Sequence, residues 1–335
     1  MSVVVPTFNM ARYLPGLWVS VVQSGLVNLI EELIFVNDGS NDDTERVIQD
    51  LQKTSSKVRV LTLTPNRGRF EARRLGAEAA TSEWTLFLDS RLTVTSELAA
   101  GLASLPDTPS AFMGCVDIDT SKDVFALYWD RSHRLLFSRH FRDTKQPLLL
   151  TEQNYDRYLK GTGMFLCRRA VFLEACRRFA VAPPLNDDTF LLKEMVRLSP
   201  ILIHPNIRIQ WVPRDNAKGF LLRLWERGPS FVEYHVCAHR GGFFWTVLVG
   251  CLVLLGWLVC LLTMPWLGLG LLLGLGGLIA LSTLLLSTKP HEFVRLLPLH
   301  VAVVGTFGCA ILRGLAVNLI RGVSSRAKGA SPVAP

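Results

Sequence analysis

From Phe243 to Thr288 the chain contains no Asp, Glu, Lys, Arg or His, a run of 46 residues. As one helix it would be about 69 Å long, while a bilayer core is about 30 Å thick. One span cannot use that length, so the run is read as two spans, about 243–264 and 265–286, broken near Met264-Pro265. A third apolar stretch, 296–320, carries Pro298, His300 and Arg313. Charge at membrane depth is costly, so Arg313 is packed inward, snorkels to a surface, or sits in a segment that re-enters without crossing. The formal net charge is +8, and from Gly242 onward six basic residues face one acid, Glu292. That excess flanks apolar segments and is not a nucleic-acid-binding stripe. Arg223, Arg227, Arg240, Lys289 and Arg295 would share one side of the first two spans, and basic residues favour the cytoplasmic side. Met1–Asn9 shows no basic-then-apolar leader. The expectation is a multi-pass protein of the cell (inner) membrane with its N-terminal domain in the cytoplasm. A full crossing by the third segment would place Arg321, Arg326 and Lys328 outside, against the same rule. Seven cysteines without a C-x-x-C pair argue for reduced thiols.

The first 110 residues alternate strand and helix. Ser2–Pro6 reads as a strand, and Leu14, Leu17, Val21 and Val22 then recur at helical spacing. Glu32–Val36 is a second strand, and Ser40 with Asp43 resembles a capping box opening a helix to about Lys53. Val58–Leu63, a helix over 69–80, and Thr85–Leu88 ending at Asp89 complete the series. Such alternation predicts an α/β fold with a mainly parallel central sheet. Ligands on such sheets bind beyond the carboxyl ends of the strands, where this chain places Thr7, Asn9, Asp38, Asn66 and Asp89. Read singly, Asp38 serves equally as a turn residue or as an acceptor for a uracil imide or ribose hydroxyl. Asp89 serves equally as a cap or as a ligand for a hard cation. There is no G-x-G-x-x-G after the first strand, no G-x-x-x-x-G-K-[ST] and no G-x-S-x-G, which counts against dinucleotide, P-loop and α/β-hydrolase chemistry.

Three blocks in order, VVVPTFNMARYL, ELIFVNDGSNDDT and NRGRFEARRLGAEAATSEWTLFLDS, resemble glycosyltransferase family 2. The likeness continues less sharply through GTGMFLCRRAVF, NDDTFLL and RLWERG, over about residues 2–230. The resemblance implies a GT-A-like, Rossmann-type nucleotide-sugar-binding domain followed by C-terminal transmembrane helices. The expected divisions are a cytoplasmic transferase domain over 1–219, an amphipathic interfacial segment over 220–242, a membrane region over 243–320, and a flexible basic tail over 321–335. It also implies residue roles. Pro6, Thr7 and Asn9 match the first nucleotide-binding loop, and Asp38 matches the Asp that contacts the nucleoside. Asn66, Gly68 and Arg73 match the segment that closes over the nucleotide. Asp89 matches the first Asp of the metal-binding D-x-D, with Mg2+ or Mn2+ as the implied cofactor. Asp188 matches the catalytic base of E-D-x-x-L, with Asp187 in the place of Glu, although the pair also suits a plain helix N-terminus. Gly161, Thr162 and Gly163 resemble the loop shaping the sugar and acceptor pocket, and Trp225 and Arg227 loosely resemble a later acceptor element.

In that chemistry an acceptor oxygen attacks the anomeric carbon opposite the leaving diphosphate, which inverts the configuration. A base belongs on one side and charge neutralisation on the other. The D-x-D is here Asp89-Ser90-Arg91. Three readings stay open: Arg91 points away and Asp89 alone holds the metal, Arg91 binds the diphosphate itself, or metal binding and activity are both lost. The expected function is transfer of a sugar from a nucleotide sugar, a UDP-sugar first, to a lipid-linked saccharide or polyprenyl phosphate in polysaccharide or glycolipid assembly. The alternative is an inactive relative that binds nucleotide or a partner protein at the membrane. The expected partners are the donor, a membrane-proximal acceptor, the lipid bilayer and other membrane assembly enzymes in a complex, with no nucleic acid.

Overall fold

The computed structural model describes residues 1–179, 187–239 and 241–327, with the side chains of 187 and 322–327 outside the described set. Arg240 of the expected interfacial segment and residues 328–335 of the expected tail also lie outside it. Two units are resolved: residues 1–119, 136–179 and 187–213 form one, and residues 120–135, 214–239 and 241–327 the other.

The first unit is built on one nine-stranded sheet. Its strands are β1 (Ser2–Thr7), β2 (Glu32–Asp38), β3 (Val58–Leu63), β4 (Trp84–Leu88), β5 (Leu92–Val94), β6 (Ala111–Ile118), β7 (Leu148–Leu150), β8 (Met164–Arg168) and β9 (Ile201–Trp211). They run in the order β3-β2-β1-β4-β8-β6-β9-β5, with β7 paired to β9. β3, β2, β1 and β4 are mutually parallel, as the alternating helices require. From β8 onward the sheet is mixed, because β8 runs antiparallel to both β4 and β6. All of β2 is buried, and β1 nearly so, the pattern of strands covered on both faces. Side chains alternate between those faces. Val3 and Val5 join a core with Leu14, Leu17, Ile48 and Leu98, while Val4 points to the other side. There a Cβ on Gly76 would collide with Val4 Cγ1 and lie 2.9 Å from Val36 Cγ2. Helix Arg69–Ala79 therefore lies flush on the sheet, and its register is fixed where that glycine sits.

The second unit gathers helices Val124–Leu136 (through residue 135), Ala217–Val232, Gly242–Thr263, Pro265–Leu286 and Pro290–Ala327. Gly242–Thr263, Pro265–Leu286 and Pro290–Arg321 are long and apolar enough to cross a membrane. The first two form a tight pair, in which Trp257 Nε1 donates to Gly268 O at 2.9 Å. The third runs on through Pro298 as one helix of 38 residues, about 57 Å long. Several of its polar residues have partners. His300 lies between Tyr128 Oη at 2.8 Å and Ser282 Oγ at 2.9 Å. Glu292 takes the Arg131 guanidinium on both oxygens. Arg313 stacks over the Trp225 ring, 5.1 Å from its centroid, and donates to Trp225 O at 3.4 Å. The helix backbones touch where Gly228 meets Ala310, since a Cβ on Gly228 would run into Ala310 O.

Candidate functional site at the carboxyl edge of the sheet

β2, β1 and β4 are neighbours and parallel, so Asp38, Thr7 and Asp89 arrive at one edge. The loops after β1 and β2 are tied to each other before any ligand is considered. Asn9 takes a left-handed φ of 55°, which asparagine tolerates. Its N–H donates to Ser40 Oγ at 3.0 Å, and its Oδ1 accepts from Asn41 N at 2.9 Å. Met10 N donates to Thr44 Oγ1 at 2.8 Å. Thr7 turns its hydroxyl to Val36 O at 3.1 Å, and Pro6 precedes it, half-buried. Asp38 is only 3% exposed. Its Oδ1 accepts from Arg67 N at 2.7 Å and its Oδ2 from Gly68 N at 2.9 Å, while Asn66 Nδ2 donates to its carbonyl at 2.7 Å. The carboxylate thus staples the segment 66–68 over the strand end, and each oxygen keeps a further lone pair. Gly39 makes this possible: its φ is +69°, and a Cβ there would lie 2.7 Å from Asn66 N.

The second half of the site comes from the antiparallel strand. Leu88 is in register with Met164, so the loop Gly161-Thr162-Gly163 reaches the edge beside Asp89. Asp89 N donates to Gly163 O at 2.9 Å. Helix Asp187–Leu198 brings Asp188 to the same place. Arg73 Nη1 donates to Asp188 Oδ1 at 2.5 Å, and Arg69 Nη1 lies 3.8 Å from Oδ2. Burial pushes the Asp188 carboxyl up, but the Arg73 and Arg69 guanidiniums outweigh it and hold it well below the ordinary carboxylate range. The order along the edge is continuous. Asp38 holds Gly68, Gly68 caps the helix that carries Arg69 and Arg73, and those arginines hold Asp188 next to Thr162. Arg73 is therefore bonded to Asp188. The Asp187 side chain lies outside the described residues.

Arg91 does not lie on the Asp89 carboxylate. Its guanidinium packs over the Trp211 ring, 5.1 Å from the centroid, while its backbone N–H donates to Asp89 Oδ1 at 3.1 Å. Its Nη1 is buried with no hydrogen-bond partner. Trp225 and Arg227 belong to the second unit, where Trp225 carries Arg313 and Arg227 stacks over Trp129 at 4.7 Å. Sequence reading passed over Arg69, although its place one turn before Arg73 was a usable signal. It also passed over Tyr155, fully buried, whose hydroxyl donates to Thr189 O at 2.5 Å.

The Glycosyl transferase family 2 model matches residues 2–174, just over half of the chain. The chain belongs to that family. Among curated relatives of this family 2 chain, mouse dolichyl-phosphate beta-glucosyltransferase is 32% identical over 140 residues, covering 38% of this chain and 39% of that protein. The uncharacterized glycosyltransferase EpsJ of Bacillus subtilis is 29% identical over 204 residues, covering 59% and 58%. The chain thus matches well under two thirds of the length of these relatives. Among solved structures, the mannosyltransferase PcManGT of Pyrobaculum calidifontis, in complex with GDP-Man and Mn2+, superposes with a TM-score of 0.59. That match is 16% identical and covers 94% of this chain and 86% of the other. It shows the fold to be of the GT-A kind.

The site suits a divalent ion held by one protein carboxylate. Asp89 Oδ1 accepts the Arg91 N–H, and Oδ2 has no hydrogen bond among the described residues, leaving a hard oxygen donor at the strand end. Among the described residues no three His, Cys, Asp or Glu side chains converge. The remaining ligands of such an ion would be donor oxygens and water.

Proposed function

We propose that the chain is an inverting glycosyltransferase that moves a sugar from a nucleoside diphosphate donor, a UDP-sugar first, to a membrane-associated acceptor. The observation that carries this reading is the edge itself. In a family 2 chain, Asp38, Asp89 and Asp188 are set around one run of strand ends by contacts that need no ligand. Pro6, Thr7, Asn9, Asp38, Asn66 and Gly68 would receive the nucleoside, with Arg91 beside the diphosphate. Asp89 would hold Mg2+ or Mn2+, which supplies charge neutralisation of the departing diphosphate. Gly161, Thr162 and Gly163 would border the sugar, a reading supported by the hydrogen bond from Asp89 N to Gly163 O and by Thr162 lying near Asp188. Asp188, with Asp187, would act on the acceptor's side: for a hydroxyl, by taking its proton, and for an anion, by orienting the cations that bind it.

The membrane setting rests on three apolar helices of spanning length; the reading of an inner-membrane, multi-pass protein with a cytoplasmic catalytic domain rests on the basic residues that flank the first two spans. A lipid-linked saccharide or polyprenyl phosphate would then be concentrated in the same plane as the enzyme. Similarity to a dolichyl-phosphate beta-glucosyltransferase is in keeping with that acceptor class. Trp225 and Arg227 would serve the acceptor end through the interfacial helix, and complexes with other assembly enzymes would form in the same membrane. The test is detergent-purified full-length protein incubated with radiolabelled UDP- and GDP-sugars and extracted native lipid. Release of nucleoside diphosphate coupled to label in the lipid phase is expected. Absence of both nucleotide binding and donor turnover across the panel would refute the reading.

A further inference from the structure

The third apolar helix, Pro290–Ala327, is long enough to cross a bilayer, yet its contacts keep it level with one end of the other two. Those two form a hairpin, so the start of Gly242–Thr263 and the end of Pro265–Leu286 mark one membrane face, and Met264 between them marks the other. The first half of the third helix meets the end of the hairpin. Leu296 and Val303 share a buried cluster with Leu286, and His300 Nε2 lies 2.9 Å from Ser282 Oγ. Its middle meets the start of the hairpin. Phe231 packs against Phe307 and against Phe243, the second residue of the first span, with ring centroids 5.3 and 5.5 Å away. Its last turns return to the segment that precedes that span, where Asn318 Nδ2 donates to Pro229 O at 3.1 Å and Arg321 Nη1 lies 3.9 Å from Glu233 Oε1. From residue 296 to residue 321 a helix rises about 38 Å, more than the thickness of a bilayer core of about 30 Å. A crossing helix would have carried Arg321 to the Met264 face.

The flank of the hairpin points the same way. Residues 269–278 of the second span are all exposed, and no residue of the first is buried, whereas a third span laid along the pair would cover part of both. Helix Ala217–Val232 is locked to the third helix where Gly228 meets Ala310, and it carries Arg223, Glu226 and Arg227. A crossing would draw these charges into hydrocarbon at high cost. The face of the third helix turned away from its partners is apolar along its length: Val294, Val301, Leu312 and Leu319 are exposed, while Leu296, Val303 and Ala310 are buried on the opposite side.

We propose that this helix does not cross but lies in the plane of the membrane, at the face where the hairpin enters, with its apolar stripe seated in lipid acyl chains. The protein then has two spans. Arg321, Arg326 and Lys328, which a third crossing would place on the far side, stay on the side of Arg223, Arg227, Lys289 and Arg295, as the positive-inside rule favours. This rests on the membrane setting proposed above and not on the transfer chemistry.

The test uses the full chain with a different epitope tag at each end, expressed in a bacterial host. An impermeant protease should remove both tags in one preparation, spheroplasts or inside-out vesicles, and neither in the other. Tags on opposite sides would show a third crossing and overturn the proposal. A second measurement reads the lipid contact. The photoreactive residue p-benzoylphenylalanine, placed at Leu312 of the full chain in vesicles of phosphatidylethanolamine and phosphatidylglycerol, should crosslink to lipid on irradiation, as it should at Val253 in the first span. Lipid adducts at Val253 with none at Leu312 would also overturn the proposal, because the stripe would then face water or protein. Release of the whole protein from membranes by carbonate washing would remove the membrane setting itself, and the in-plane helix with it, while leaving glycosyl transfer standing.

Discussion

Replacing Asp38 by Asn separates a nucleotide contact from a loop tie. In the native chain both carboxylate oxygens accept amide N–H groups, Arg67 at 2.7 Å and Gly68 at 2.9 Å, at a residue only 3% exposed. Asparagine keeps one oxygen, so one amide retains a neutral acceptor and the other faces an NH2 group. A hydrogen bond to a charged group is worth about 1.5–3 kcal/mol, so losing one and weakening the other costs about 3 kcal/mol if nothing moves. Asn66 and Arg67 are exposed, so the segment can swing into water and satisfy its amides there. The loss then appears as local opening of 66–68 and not as global unfolding. If the nucleotide requires this segment closed, UDP affinity falls by about the same free energy, on the order of a hundredfold. Calorimetric titration of UDP into detergent-purified wild type and Asp38→Asn, with hydrogen exchange at Arg67 and Gly68, reads both effects. Asp43→Asn, at a position 70% exposed, is the charge control and should change neither. Faster exchange with UDP affinity unchanged would show that the segment does not close over the nucleotide. If neither quantity moves, the carboxylate does not hold the segment at all.

Arg91→Asp restores a second carboxylate two residues after Asp89. It should make UDP binding more dependent on Mn2+ by about tenfold and weaken it without metal; calorimetry with and without EDTA tests this, and an unchanged metal dependence would remove Arg91 from the diphosphate. Glu32 is buried, which alone would raise its pKa, but the Thr81 hydroxyl and N–H, Ser2 and Arg59 lower it from 4.5 to about 2. A depressed folded-state pKa contributes stability that is full above about pH 4.5 and is lost as pH falls towards 2, on the order of 3 kcal/mol here. Glu32→Gln should therefore lower the Tm at pH 7 and converge with wild type in acid; parallel pH curves would refute this. Gly228→Ala would drive a Cβ into Ala310 O and should destabilise the second unit by about 1–3 kcal/mol, seen as a lower Tm in detergent. A Tm equal to wild type would show that the two helices separate without penalty.

The parallel half of the fold was legible because each of its strands is a short apolar run ending in a polar residue, and each helix carries its own periodicity. Asp38 and Asp89 could be placed from that pattern alone, since a strand's direction fixes which end it offers. The mixed half was not legible. β8 is five residues that run straight into a helix, and nothing local in MFLCR says that it lies antiparallel to β4. Helix Val124–Leu136 reads as an ordinary amphipathic helix. Its membership in the second unit comes from distant partners: Leu127 and Tyr128 pack with Phe220 and Leu296, and Arg131 finds Glu292, 161 residues further on. The same limit hid the state of Asp188, whose partner Arg73 is 115 residues away. A carboxylate's chemistry is set by the groups that face it in space, and sequence spacing reports only its neighbours along the chain.

Arg313 shows how such a distant contact changes a physical conclusion. In the sequence, its charge within an apolar stretch made a full crossing by the third helix costly. In the fold its guanidinium lies over the Trp225 ring and donates to the Trp225 carbonyl. That carbonyl is open to a donor for a local reason: Pro229, four residues on, sits inside the helix and has no N–H to give it. Asn318, further along the third helix, donates to the carbonyls of Pro229 and Gly314. Both polar groups are thus taken up by helix Ala217–Val232. The penalty for placing them in lipid falls on the pair of helices as a unit and not on the third helix alone. Gly228 completes the arrangement, because only a residue without a Cβ lets the two backbones come close enough for Asn318 to reach Pro229. The proline frees an acceptor, the glycine brings the helices together, and the polar side chains use both, each of little use without the others.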